Sequence, residues 1–354
     1  MPKMDDIQKA EKINSLQTEL TDLIGAVRTE TDPKKKRKMI EKIGEYNRKI
    51  DKIKSGRVLS RETKRDLVAY SFIAPNFIGF CVFTLIPIIF AFALAFMHWD
   101  GSNPIEWAGF SNFTRLADDT FFLAALKNTI IYCIGTVPLT MVASLALAIV
   151  LNQKVIGRGI FRTLSFFPYV ASLVAITAVW KMLFHPSKGP INNILYTVFK
   201  VPMEELPQWF SGGLVMVSMI LFSVWKYMGY YMVIYLAGLQ GISAELYEAA
   251  SLDGANTWQK FRYVTWPQLS STTFFVVVML TINCFKVYDI AVMLAGGGSG
   301  ELTTSATVLV YYIYQKAFID WDLGYSSSVA MVLFVLVLVV TIIQFRGQAK
   351  KERA

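Results

Sequence analysis

Five polar side chains interrupt long apolar runs of this sequence and are the ones most able to bind another molecule: Tyr231, Asn283, Lys286, Tyr288 and Asp289. Polar groups are costly in hydrocarbon, so such residues face a cavity or another helix. Aromatic faces can stack on a ring-shaped polar molecule, and amide and charged groups can bond its hydroxyls. We therefore treat these residues as candidates for a pathway that a polar substrate follows. The alternative is helix packing, in which Lys286 and Asp289, one helical turn apart, neutralise each other.

Catalytic chemistry is not indicated by the remaining reactive side chains. The three cysteines and two histidines are scattered singly within or beside apolar segments, without the spacing of a disulfide framework or a metal site. The glycine-rich stretch at 296–300 lacks the Lys-Ser/Thr pair of a phosphate-binding loop. We expect no catalytic residue, no metal ligand and no cofactor on this chain, and hence no enzyme.

The elements that position the five polar residues are predicted from the apolar runs. Hydrophobic residues make up 54% of the 354 residues and charged residues 17%, which is too apolar for an ordinary soluble chain. A helix needs about 20 apolar residues to cross a hydrocarbon core of about 30 Å. The sequence predicts an all-α polytopic membrane protein with six transmembrane helices, at Ala69–Met97, Ala124–Leu151, Phe166–Phe184, Leu214–Leu239, Thr272–Leu294 and Ser327–Phe345.

The distribution of cations predicts which side of the membrane each loop occupies. Eighteen of the 35 Lys and Arg lie in residues 1–65, and 27 of the 35 lie in segments that six crossings would place on one side. Cytoplasmic loops carry the excess of Lys and Arg. Both termini and the loop at 240–270 are therefore predicted to be cytoplasmic. Because the cations flank membrane segments, they indicate no nucleic-acid partner.

Residues 1–65 form a charged extension with no apolar core of a signal peptide. Apolar residues recur at helical spacing in two stripes, separated by Asp32-Pro33. The pattern predicts two amphipathic helices that bury one seam against each other, as a hairpin, or against a partner. The alternative is a solvated hairpin without a specific role. The predicted domains are this extension at 1–65, a six-helix transmembrane domain at 66–346 and a basic tail at 347–354. The stripes consist of Ile13, Leu16, Leu20, Leu23 and Val27, and of Met39, Ile43, Tyr46, Ile50 and Ile53.

The loop at 240–270 has the sequence of a rigid helix-turn-helix. Ser243 can cap a first helix, and Asn256 with Gln259 has the form of a capping box for a second. Between them, small residues leave room for the close approach of another protein surface. The loop residues that we single out are Glu248, Ala249, Ala250, Asp253, Gly254 and Pro267.

This loop resembles the hallmark of the inner-membrane permeases of binding-protein-dependent ABC importers, in which Glu-Ala-Ala is followed after three residues by Gly. Here the pattern is Glu248-Ala249-Ala250 with Gly254, and Pro267 follows at a suitable distance. The resemblance implies that the loop is a coupling helix that docks into a groove on a separate ATP-binding subunit. Glu248 would orient the loop and Gly254 would turn it, while ATP and Mg would be held by the partner.

The resemblance extends over 66–345 and narrows to the carbohydrate-importer branch, which includes the larger maltose and glycerol-phosphate permeases. It implies a type I importer permease in a prokaryotic plasma membrane, with a second homologous permease, two ATPase subunits and an extracytoplasmic sugar-binding protein as partners. A secondary active transporter of a small polar solute is the alternative, but the sequence has no internal repeat. The similar stretches are Pro75-Asn76, Pro87, Trp99-Asp100-Gly101, 109–113, 157–162, 296–298 and Gly324-Tyr325.

Overall fold

The computed structural model describes residues 6–30, 32–55, 61–153, 156–296 and 303–353. It divides into two compact units, Met1–Ile88 and Ile89–Ala354. The first part of the chain contains α1 (Asp6–Thr29), α2 (Pro33–Ser55), α3 (Arg61–Phe80), a π-helical turn (Cys81–Leu85) and α4 (Ile86–Leu94), which crosses the boundary between the units.

The rest of the chain, where the structure describes it, is helical except for one short β-ribbon and loops. Strands β1 (Met97–His98) and β2 (Glu106–Trp107) pair antiparallel, with Met97 opposite Trp107. The helices are α5 (Ser111–Asp118), α6 (Thr120–Asn152), α7 (Arg158–Val170), α8 (Leu173–Leu183), α9 (Pro190–Thr197), α10 (Leu214–Gln240), α11 (Ala244–Leu252), α12 (Thr257–Lys260), α13 (Trp266–Gln268), α14 (Ser270–Phe285), α15 (Asp289–Ala295), α16 (Leu309–Tyr314) and α17 (Leu323–Arg353), with π turns at Phe261–Thr265 and Gln315–Ile319 and a 3-10 turn at Met203–Glu205.

The predicted amino-terminal hairpin is confirmed, since α1 packs against α2. Every residue of the two predicted stripes is at least partly buried, and Ile50 is 7% exposed. Tyr46 of α2 donates a hydrogen bond to Glu19 of α1, and this carboxylate raises the pKa of the tyrosine. The two helices therefore run antiparallel along the seam that the sequence predicted.

Four of the six predicted spans are single helices long and apolar enough to cross a membrane: Arg65–Leu94, Thr120–Asn152, Leu214–Gln240 and Leu323–Lys350. The first passes through Pro75, and the second through Pro138. These prolines lie within helices, because the helix continues on both sides of each ring. The first span ends sooner than predicted, at Leu94, because Met97 already pairs in the ribbon.

The third and fifth predicted spans are not continuous helices, which corrects the sequence-based prediction. In place of Phe166–Phe184, the structure has α7 and α8, bent by 99° about Ala171 and Ser172. In place of Thr272–Leu294, α14 ends at Phe285 and α15 starts at Asp289. The described helices give four spans, or six if each of two bent pairs crosses once, namely α7 with α8 and Thr257–Gln268 with α14.

The core of the second unit is built around α10. This helix packs against α6 along much of its length and also contacts α7, α14 and α15. Phe222 and Met219 on α10 and Tyr132 on α6 are almost fully buried in one cluster. Both broken spans therefore pack on the same central helix.

Candidate functional site

The loop between the fourth and fifth spans folds as the predicted helix-turn-helix. Helix α11 begins after Ser243, whose Oγ accepts a hydrogen bond from the Glu245 N–H at 3.3 Å. Asn256 and Gln259 form a complete capping box at the start of α12, with reciprocal bonds of 2.8 and 2.9 Å. Both caps were predicted from the sequence and are confirmed.

A tight turn joins the two helices at Gly254. Its φ of +77° lies in the left-handed region that favours glycine. The turn is closed by the Ala255 N–H, which donates to the Ala250 carbonyl at 2.9 Å, and by Lys260 Nζ, which donates to Ser251 Oγ at 2.7 Å. Gly254 therefore has the turning geometry that the sequence predicted.

The loop is open to solvent on one side. Glu248, Ala249, Asp253, Gly254 and Pro267 are exposed, and Ala250 is half-buried. Within the described part of the chain, Glu248 forms no hydrogen bond or ion pair, so the polar contacts predicted for it are not made there. Large apolar side chains are exposed as well, at Leu252 (90%), Trp258 (68%) and Tyr263 (74%). Such a patch is typical of a surface that another protein covers.

Pro267 lies near the end of the loop, but the chain stays helical through it. A π-helical turn precedes α13, in which the proline occupies one of the first positions, where its missing N–H costs little. The chain then bends by 67° before α14. The chain therefore bends at Leu269, two residues beyond the proline.

Two of the predicted pathway residues come together. Asn283 Nδ2 donates a hydrogen bond of 3.2 Å to the hydroxyl of Tyr231. Tyr231 is 1% exposed, whereas Asn283 is exposed. The pair therefore links the core of α10 to the open face of α14.

The other three predicted pathway residues lie at the break of the fifth span. Tyr288 packs against Tyr311 and Tyr314, with ring centroids 6.3 and 5.4 Å away. Lys286 and Asp289 are exposed. Although both residues are described, they form no ion pair with each other, so self-neutralisation does not account for them. Irregular backbone at membrane depth occurs where it is buried in protein or lines an aqueous cavity.

The break of the third span adds residues that the sequence analysis did not select. Lys226 of α10 is 8% exposed, and its Nζ donates to the carbonyls of Pro168 and Tyr169 at 3.3 Å each. These carbonyls belong to the last turn of α7, which has no intrahelical donors for them. Tyr169 also stacks on Tyr230 at 4.4 Å. Lys226 therefore stabilises the bend between α7 and α8. In the sequence, this bend was indicated only by Pro168 in an apolar run and by a lysine in the fourth span.

A separate cavity of about 570 Å³ lies beside the β-ribbon. It is lined by Trp99 and Trp321 and by the carboxylates of Asp100, Asp320 and Asp322. Next to it, Asp322 accepts a bond of 2.6 Å from Arg115, whose guanidinium lies 4.1 Å from the centre of the Tyr325 ring. None of the five predicted pathway residues lines this cavity.

Residues 140–349, more than half of the chain, match the family model described as the inner membrane component of binding-protein-dependent transport systems. The chain is 36% identical over 293 residues to the probable ABC transporter permease protein YesP of Bacillus subtilis, covering 81% of this chain and 92% of that protein. It is 33% identical over 288 residues to the arabinooligosaccharides transport system permease protein AraP of the same species, covering 80% and 90%.

The fold agrees with a solved structure of a bacterial ABC transporter involved in the import of the acidic polysaccharide alginate. The TM-score is 0.69 at 23% identity, over 82% of this chain and 98% of the other. The helical architecture predicted from the sequence is therefore confirmed. Together, these matches show that the chain is a permease that belongs to the family of binding-protein-dependent transport system inner membrane components.

Proposed function

We propose that this chain forms half of the translocation pathway of an ATP-driven carbohydrate importer. An oligosaccharide is the favoured class of substrate, because AraP, a relative matched over most of both chains, is an arabinooligosaccharide permease. The partners are a second homologous permease, two ATPase subunits that hold ATP and Mg, and an extracytoplasmic sugar-binding protein. A secondary transporter is disfavoured, since the family is binding-protein-dependent.

The observation that carries the pathway is the exposure of polar groups at the break of the fifth span. Asn283, Lys286 and Asp289 are exposed in the single chain, although they lie within an apolar run. Hydrocarbon would leave their charges and amide unsolvated, at a cost of several kcal/mol. An aqueous cavity closed by the second permease satisfies them, and hydroxyl groups of a sugar can bond to them there.

Coupling is proposed for the exposed surface of the helix-turn-helix at 243–268. Its capped helices and closed turn make it stiff enough to transmit a displacement, and its exposed Leu252 and Trp258 offer apolar area to an ATPase subunit. Closure of the ATPase dimer would move this surface and reorient the two permeases between outward-open and inward-open states. Both termini would lie on the same cytoplasmic side as this loop.

The test is Gly254→Val in the assembled complex, reconstituted in proteoliposomes with the sugar-binding protein. A β-branched residue at φ +77° is strained, so the turn changes shape. We expect lower ATPase stimulation by sugar-loaded binding protein and lower uptake. Gly212→Val is the matched control, because Gly212 also has a positive φ, of +57°, with nothing within 4 Å of an added Cβ, but it lies outside the loop. Unchanged stimulation in Gly254→Val would contradict the coupling role.

A further inference from the structure

The amino-terminal hairpin has no part in the proposed transport function, and its charge is strongly uneven. Helix α2 carries ten Lys and Arg against three Asp and Glu, whereas α1 carries three against four. The matched family region, 140–349, does not include either helix. The hairpin therefore presents one strongly basic helix whose charge is not used by the features described above.

The cations of α2 lie beside the seam and are open to solvent. The seam holds the apolar residues of both helices, while Lys35, Lys38, Lys42 and Lys49 are exposed. Lys35, Lys42 and Lys49 recur every seven residues, and Lys38 lies one turn from Lys42, so the four share one side of the helix. We call these four residues the lysine stripe. Lys49 Nζ lies 5.4 Å from the centre of the Tyr46 ring, which keeps its stem along the hairpin.

The covalent connection keeps the stripe close to a membrane surface. Helix α2 ends at Ser55 and α3 begins at Arg61, four residues before the first span starts at Arg65. Six residue steps reach at most about 20 Å, so the carboxyl end of α2 stays near the surface at which the chain enters the bilayer. A basic segment next to a membrane span is attracted to anionic lipid headgroups. This attraction falls off over about one Debye length from the surface.

We propose that the lysine stripe of α2 binds the anionic phospholipid headgroups of the leaflet at which the first span begins. The hairpin then lies along that surface as an electrostatic anchor, with α1 as the partner that shields the apolar seam of α2. This role depends on charge complementarity and on the tether to the first span. Lipid binding by the stripe requires neither a sugar nor the ATPase, so it can be tested independently of the transport function.

The test is hydrogen–deuterium exchange of the full chain in nanodiscs, comparing phosphatidylcholine alone with a mixture containing about one-third phosphatidylglycerol. We expect the amides of α2 to exchange about fivefold more slowly in the anionic nanodiscs than in phosphatidylcholine nanodiscs. The difference should vanish at about 1 M salt, where the Debye length falls to about 3 Å. The wild-type comparison needs no variant to fold.

Two matched triple variants locate the effect. Lys35→Gln, Lys42→Gln and Lys49→Gln remove three stripe charges, while Lys36→Gln, Arg37→Gln and Arg48→Gln remove three exposed charges elsewhere on the same helix. The first variant should lose the lipid dependence, and the second should keep more than half of it. Equal exchange of the wild-type protein in the two lipids, equal loss in both variants, or protection that appears only when an ATPase subunit is added would each overturn the proposal.

Discussion

Gly229 on the fourth span faces the backbone carbonyl of Ser165 on α7, where an added Cβ would lie 1.8 Å from the carbonyl oxygen. Because the obstructing atom is backbone, the whole helix must move to admit a methyl group. We predict that Gly229→Ala lowers the free energy of unfolding by about 1–3 kcal/mol, the usual cost of overpacking. The measurement is the midpoint of thermal unfolding in detergent.

The matched control for Gly229 is Gly159→Ala on α7, where nothing lies within 4 Å of an added Cβ. Alanine has the higher helix propensity, so this variant should be neutral or slightly more stable. Equal midpoints for the two variants would show that α7 does not pack against Gly229 as described.

The hydrogen bond between Asn283 and Tyr231 predicts coupled effects on transport. Tyr231→Phe removes only the hydroxyl, and Asn283→Ala removes only the amide that donates to it. If the pair acts as a unit in the pathway, each single variant should lower uptake, and the double variant should be little worse than either. The measurement is initial uptake rate against sugar concentration in proteoliposomes.

Tyr196→Phe serves as the control for this pair, because Tyr196 lies on α9 and is not one of the predicted pathway residues. Additive losses in the double variant, or uptake equal to wild type in both single variants, would count against the assignment of Asn283 and Tyr231 to the pathway.

Asp119 predicts an acid-sensitive contribution to stability. Partial burial alone would raise the pKa of this carboxyl, but hydrogen bonds from Tyr312 and Tyr325 and from two N–H groups of α6 outweigh burial, and the pKa is lowered. A group whose pKa is lower in the folded state stabilises it above the ordinary carboxyl value of about 3.9. That stability is lost as the pH falls through the folded-state pKa.

The measurement for Asp119 is the unfolding midpoint between neutral and acidic pH. Asp119→Asn should be less stable than wild type at neutral pH, and the gap should narrow as the solution is acidified. Asp118→Asn is the control, because the side chain of Asp118 is exposed and forms no hydrogen bond or ion pair within the described residues. A gap that stays constant with pH would exclude the ionised carboxylate as its cause.

Local sequence patterns predicted those parts of the fold that local interactions determine. The seam of the hairpin follows from helical spacing, and the caps at Ser243 and Asn256 follow from short-range bonds between a side chain and the next turn. The turn at Gly254 follows from the conformational freedom of glycine. In each case the residues that determine the structure are within a few positions of one another.

The breaks of the third and fifth spans could not be read from the same patterns. Ala171 and Ser172 are extended, yet neither residue is a strong helix breaker. The carbonyls freed at this bend are bonded by Lys226, which lies more than 50 residues further along the chain. Apolar run length predicts that a segment enters the membrane, but only such tertiary contacts determine whether its helix continues.

Lys226 therefore predicts a long-range effect on the bent third span. Lys226→Met keeps an unbranched stem but leaves the carbonyls of Pro168 and Tyr169 without this donor. The loss of two bonds from a charged donor, each worth about 1.5–3 kcal/mol, should loosen the end of α7. We expect faster hydrogen–deuterium exchange across 158–183, with Lys226→Arg restoring protection because its guanidinium can donate to the same carbonyls. Exchange that is unchanged in Lys226→Met would mean that packing of α7 on α10, with Gly229 at its centre, holds the bend without the lysine.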